Sequence, residues 1–124
     1  MEYDPQKAPD ASRWLSTTEE ERLSEVVQYH ERLGEKLQNA RLHAAIHVAI
    51  ENQLAEGLSE VKKAFARLTA DGLDRHEVLH AIGWVLSKHI YATMKGDVQG
   101  FDANEPYLRD VRMLTVKSWR RQTR

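Results

Sequence analysis

The stretch "RHEVLHAIGW", residues 75–84, holds His76 and His80 four positions apart with Glu77 beside the first. A second stretch, "RLHAAIHVAI", residues 41–50, holds His43 and His47 at the same spacing. On a helix advancing about 100° per residue, positions i and i+4 lie about 40° apart, so each pair presents two imidazoles to one side. Neutral imidazole is the commonest biological metal ligand, and two rings one turn apart can chelate one divalent ion. HEVLH also spells H-E-x-x-H, in which the two His hold zinc and the Glu acts as base on a bound water. Glu77 has a second reading. Asp74 followed three residues later by Glu77 is a capping-box arrangement, which would spend the carboxylate on a helix start. Capping and a catalytic role for Glu77 both stay open.

The neighbours of each pair set the direction in which it points. Ile46, Ile50 and Leu54 fall within about 60° of His43, so the first pair sits in the middle of an apolar stripe, with Glu51 toward its edge. Leu79, Ile90 and Met94 flank the second pair, with the small residues Gly83 and Ser87 close in angle. Imidazoles that face a core need hydrogen bonds or a metal, because buried polar atoms without partners are costly. The expectation is therefore a divalent metal held by His43, His47, His76 and His80. Glu51 and His30, which lies on the apolar side of the preceding helix, are further candidate ligands. Glu51 can also serve as a carboxylate hydrogen-bonded to a ligand His. Zinc or iron fits such a set first, and manganese or nickel also accepts it. Four imidazoles would close the shell and make the ion structural, whereas three would leave a position for water.

Helices must position these residues. "STTEEERL" offers Ser16, Thr17 and Thr18 as caps, each with a Glu three residues on. The apolar spacing then predicts helices over about 18–33, 40–56, 59–70, 74–95 and 104–119. Gly34 and Gly57 stop the first two, Asn39 caps the second, Ser59 the third and Asn104 the fifth. Residues 1–15, with Pro5 and Pro9, read as an extended arm pinned by Trp14 and Leu15, and 120–124 as a frayed basic tail. No strand pattern or repeat is visible. The expected fold is all-α, a compact bundle of about five helices forming one domain over 1–124. Short connections would alternate the helix directions and bring the two His pairs to one end of the bundle.

Composition limits the remaining classes. There are 124 residues and no cysteine, which excludes disulfides and thiolate metal sites. The formal net charge is -1, with no global pull toward nucleic acid, and the basic run Arg109, Arg112, Lys117, Arg120 and Arg121 reads as a solvated face. No segment has the roughly 18 consecutive apolar residues of a membrane span, and "MEYDPQKAPD" lacks the pattern of a secretory signal. The chain is expected in the cytoplasm. A homodimer formed through the arm at Trp14, or a metal-free interaction module with buried histidines and an exposed Trp119, is the non-enzymatic expectation. If the protein is an enzyme, a metal-dependent hydrolase is the class implied.

Two families share parts of this pattern. His47 with Glu51 and His76 with His80 are similar to the ligand pairs of hemerythrin-like diiron, oxygen-binding bundles, with His30 in place of the first-helix ligand. The H-x-x-x-x-D of that family's last helix is missing, and no His follows His89. "LHAAIHVAIENQLAEG" and "GLDRHEVLHAIGWVL" together resemble the small bacterial domain-of-unknown-function 1841 family over about residues 39–95. The likeness rests on the joint arrangement of His43, His47, Gln53, His76 and His80. It implies a compact helical bacterial protein and transfers no catalytic residue.

Overall fold

The computed structural model describes residues 2–34, 39–94 and 104–122, and these contain seven helices and no strand. Contacts within the chain group it into two compact units, Met1–Gly57 and Leu58–Arg124.

The first unit holds α1 (Ala11–Ser16), α2 (Glu19–Arg32) and α3 (Ala40–Ala55). The start of α2 is written in its capping box. Thr18 Oγ1 accepts from the Glu21 N–H at 3.1 Å, and Glu21 accepts from the Thr18 N–H at 3.3 Å. Three Glu in the first turn complement the positive end of the helix dipole. Gly34 (φ 73°) follows the end of α2 and Gly57 (φ 77°) follows α3, both in the left-handed region open to glycine. Asn39 caps α3 by accepting from the Leu42 N–H at 3.1 Å. Both helices therefore occupy the ranges expected of them, to within two residues.

The arm differs from expectation. Residues 11–16 form α1, because Asp10, directly after Pro9, caps it by accepting from the Arg13 N–H at 3.0 Å. Pro9 thus precedes a helix rather than preventing one. Trp14 is fully buried, and its indole N–H donates to Asn52 Oδ1 on α3 at 2.8 Å. Leu15, expected to share the anchoring, is exposed. Tyr3, Trp14, Val26, Ala44 and Val48 make one core cluster, edged by Leu23, Val27, Tyr29 and Ala55.

Arg22 is buried beside this cluster and is tied on every side. It donates to Glu19 at 2.9 Å, to Asn52 Oδ1 at 3.1 Å, and to the carbonyls of Leu15 and Thr17 at 3.1 and 2.7 Å. A buried guanidinium is tolerated when its donors are met in this way. The result is a polar clasp joining α1, the α1–α2 link and α3.

The second unit holds α4 (Ser59–Ala70), α5 (Arg75–Met94), α6 (Asn104–Met113) and α7 (Val116–Gln122), with α4, α5 and α6 in mutual contact. Val61, Ala64 and Leu68 of α4, Val78, Leu79, Ile82 and Val85 of α5, and Tyr107 and Val111 of α6 are buried. Leu58, not Ser59, is the N-cap of α4, with no side-chain hydrogen bond there, and Asn104 is the first residue of α6 rather than its cap.

The single helix expected over 104–119 is two helices. Thr115 and Ser118 form a reciprocal cap, with Ser118 N–H donating to Thr115 Oγ1 at 3.0 Å and Thr115 N–H to Ser118 Oγ at 3.1 Å. Arg67 of α4 meanwhile donates to the carbonyls of Leu114, Val111 (3.2 Å) and Arg112 (3.3 Å), satisfying the acceptors that the end of α6 leaves open. Trp119, expected exposed, is 9% exposed and buried. Arg120 and Arg121 belong to α7, so the tail is helical through Gln122. The loop expected over 97–103, its stop at Gly96 and residues 123–124 lie outside the described residues. Among the described residues, no helix is long and apolar enough to cross a membrane.

Candidate metal centre

The first unit gathers three histidines from two helices. His43 and His47 lie on adjacent turns of α3, with ring centroids 4.8 Å apart. His30, in the last turn of α2, approaches both: its ring centroid is 4.6 Å from that of His43 and 5.3 Å from that of His47. One ring nitrogen from each of the three lies within 4.8 Å of those of the other two. His30 and His47 are buried, His43 is half-buried, and the Nε2 atoms of His30 and His43 are out of solvent. The α2–α3 hairpin supplies this convergence, because the helices pack along their apolar stripes and the histidines lie in those stripes.

The hydrogen bonds orient two of the rings. His30 Nδ1 lies 2.9 Å from the Val26 carbonyl one turn back. A carbonyl can only accept, so the proton is on Nδ1, and in neutral imidazole Nε2 then carries the lone pair. His47 Nδ1 lies 3.3 Å from the hydroxyl of Tyr3. Tyr3 is buried, and the same hydroxyl donates to Glu51 Oε2 at 2.6 Å. Glu51 is itself only 2% exposed. The carboxylate expected either to ligate or to hold a ligand His therefore reaches His47 through the phenol of Tyr3.

The cluster fits a transition ion of the imidazole-binding class. Bonds of about 2.0–2.1 Å at tetrahedral angles would place the nitrogens about 3.4 Å apart, within reach by small side-chain rotations from the spacing seen here. His30, expected as an extra ligand, is as close as the two histidines that α3 supplies. Tyr3 was not expected at all. It lies 44 positions from His47 and 48 from Glu51, and no local periodicity connects the arm to α3.

The second unit carries the other pair. His76 and His80 have ring centroids 4.3 Å apart on α5. Between them Glu77 closes the capping box: its Oε1 accepts from the Asp74 N–H at 3.0 Å, and Asp74 Oδ1 accepts from the Glu77 N–H at 2.8 Å. The carboxylate that makes HEVLH resemble a protease motif is thus engaged in starting α5. His89, farther along α5, lies 2.7 Å from Asp110 of α6. Burial alone would raise the Asp110 carboxyl, but the hydrogen bond from His89, with Arg109 alongside, holds it below its usual value. Within the basic run, Arg112 is met by Glu105 at 3.0 Å and Glu60 at 3.5 Å, and Arg109 by Asp110 at 3.4 Å.

Comparison with known proteins finds no matching family model, no matching curated protein and no matching solved structure.

Proposed function

We propose that the protein binds one divalent transition ion in its first unit, through His30, His43 and His47. The observation that carries this reading is the convergence of three ring nitrogens within 4.8 Å of one another. The Val26 carbonyl supports it by fixing His30 with its lone pair on Nε2. Zinc and iron come first for such a set, with nickel and manganese behind them, since imidazole suits the borderline ions and no thiolate exists to favour a softer one. Three protein ligands leave one position for water in a tetrahedral shell, the arrangement of ions that act as Lewis acids. Metal-dependent hydrolysis is therefore the chemistry open to the site if it turns over a substrate. We further propose that the protein is a cytoplasmic relative of the domain-of-unknown-function 1841 family, on the joint arrangement of His43, His47, Gln53, His76 and His80.

The test is direct. The untagged protein is expressed in medium supplemented with zinc, iron, nickel and manganese, purified and examined by elemental mass spectrometry. One equivalent of metal is expected, and each of His30→Ala, His43→Ala and His47→Ala should lose it. His76→Ala reads the sequence-based expectation of a four-imidazole shell. No ion above background in the wild type overturns the proposal. Two irons per chain would favour the diiron alternative.

A further inference from the structure

We infer that Tyr3 is the positioning residue of this centre: its hydroxyl accepts the Nδ1–H of His47 and gives its own proton to Glu51, leaving Nε2 of His47 to face a metal. The inference rests on the three-histidine reading above. It follows from counting protons along a buried chain. The Tyr3 hydroxyl has one hydrogen, and Glu51 Oε2 stands 2.6 Å away while His47 Nδ1 stands at 3.3 Å. With a carboxylate as acceptor, the proton of the shorter bond belongs to Tyr3. The oxygen of Tyr3 then offers His47 only lone pairs, so Nδ1 must be the protonated nitrogen.

The arrangement is a carboxylate–histidine pair with a phenol inserted between its members. Ligand histidines commonly give their second nitrogen to a carboxylate or carbonyl, which fixes the ring and raises its basicity. His30 uses the Val26 carbonyl for this purpose, and His47 uses Tyr3 with Glu51 behind it. Tyr3 can hold its place because its ring packs against Trp14 at 5.7 Å and edge-on to Tyr29 at 6.1 Å. Its carbonyl also accepts from Arg32 of α2 at 3.2 Å. The reverse proton order, Glu51 to Tyr3 to His47, would put the imidazole proton on Nε2 and close that atom to an ion. The two orders make opposite predictions.

Tyr3→Phe removes the hydroxyl and keeps the ring. Zinc affinity is measured by chelator competition at neutral pH, and the tautomer of His47 by long-range proton–nitrogen correlation NMR on the metal-free protein. Tyr3→Phe should weaken zinc by about 10–100-fold while one equivalent still binds at saturation. The metal-free wild type should show His47 protonated on Nδ1, and Tyr3→Phe should lose that preference. Tyr29→Phe removes a hydroxyl from the same aromatic cluster while keeping the ring that packs edge-on to Tyr3, and should leave both the affinity and the tautomer as they are. Unchanged affinity in Tyr3→Phe overturns the inference, as does His47 protonated on Nε2 in the wild type. Absence of zinc binding by the wild type would instead overturn the metal reading, whatever tautomer is found.

Discussion

Replacing Glu77 in two ways separates the two meanings of HEVLH. The residue takes part in one pair of reciprocal bonds at the start of α5. Glu77→Ala keeps the bond from its own N–H to Asp74 and removes the bond from the Asp74 N–H to its carboxylate. It also removes a negative charge from the first turn. One hydrogen bond at a solvated helix end contributes toward the low end of about 0.5–1.5 kcal/mol, and the dipole interaction adds about 0.3–1 kcal/mol. The loss should therefore be about 1 kcal/mol, or about 4 °C in melting temperature for a chain of this size. Glu77→Gln loses the same charge but keeps an oxygen that can accept from the Asp74 N–H, and should fall by about half as much, about 2 °C. A base or an anionic ligand is lost equally in both variants. Thermal denaturation followed by circular dichroism, with metal content measured in parallel, distinguishes the cases. Both variants should hold metal like the wild type, and the alanine should melt about 2 °C below the glutamine. Equal destabilisation by Gln and Ala would refute the capping account, and loss of metal in Glu77→Gln would return the residue to the site.

Asn52→Leu should destabilise the first unit by about 2–4 kcal/mol in chemical denaturation, because it leaves the buried Trp14 indole N–H without its acceptor and takes one acceptor from Arg22. A loss below about 0.5 kcal/mol would show that the clasp is dispensable. Asp110 has a folded-state pKa below its unfolded value, so its contribution is present above about pH 4 and disappears as pH falls through the folded value. The stability gap between wild type and Asp110→Asn should accordingly close as pH falls into the acid range; a gap that widens in acid would contradict this sign. Zinc at about 100 times its dissociation constant should raise stability by about 2.7 kcal/mol, near 10 °C, and chelation should reverse it. His30→Ala should show no such rise.

The helix starts and stops were legible where a cap is local chemistry. Thr18 with Glu21, Asn39, Gly34 and Gly57 act within a few residues of their own position, and each does in space what its type announces in sequence. The break between α6 and α7 was only half legible. The Thr115–Ser118 cap is local, but the carbonyls it leaves behind are satisfied by Arg67, 47 residues away from Leu114. Helix α1 was missed because a six-residue helix has little stability of its own; burial of Trp14 and the Asp10 cap sustain it. Angles around a helix put His43 and His47 on the inward side of α3 and His30 on the apolar side of α2, where the structure has them buried or half-buried. The same reasoning gave His30 only as a possible extra ligand, because periodicity says which way a ring faces and nothing about what meets it. Tyr3 illustrates the limit: its role depends on a chain reversal that no pattern within the arm encodes.

The three histidines also bear on how the molecule assembles. His30 and His43 stand at facing ends of the α2–α3 hairpin, so an ion held by both would close a loop on the order of 15 residues. Such a closure involves short-range partners in a chain without a single cysteine. It would act as a removable cross-link, worth about 3 kcal/mol on the scale of a disulfide around a loop of that length, to the extent that the ion stays bound as the chain unfolds. Because the bridged residues are only 13 positions apart, loading would favour early formation of the hairpin and so quicken refolding, with little effect on the rate of unfolding.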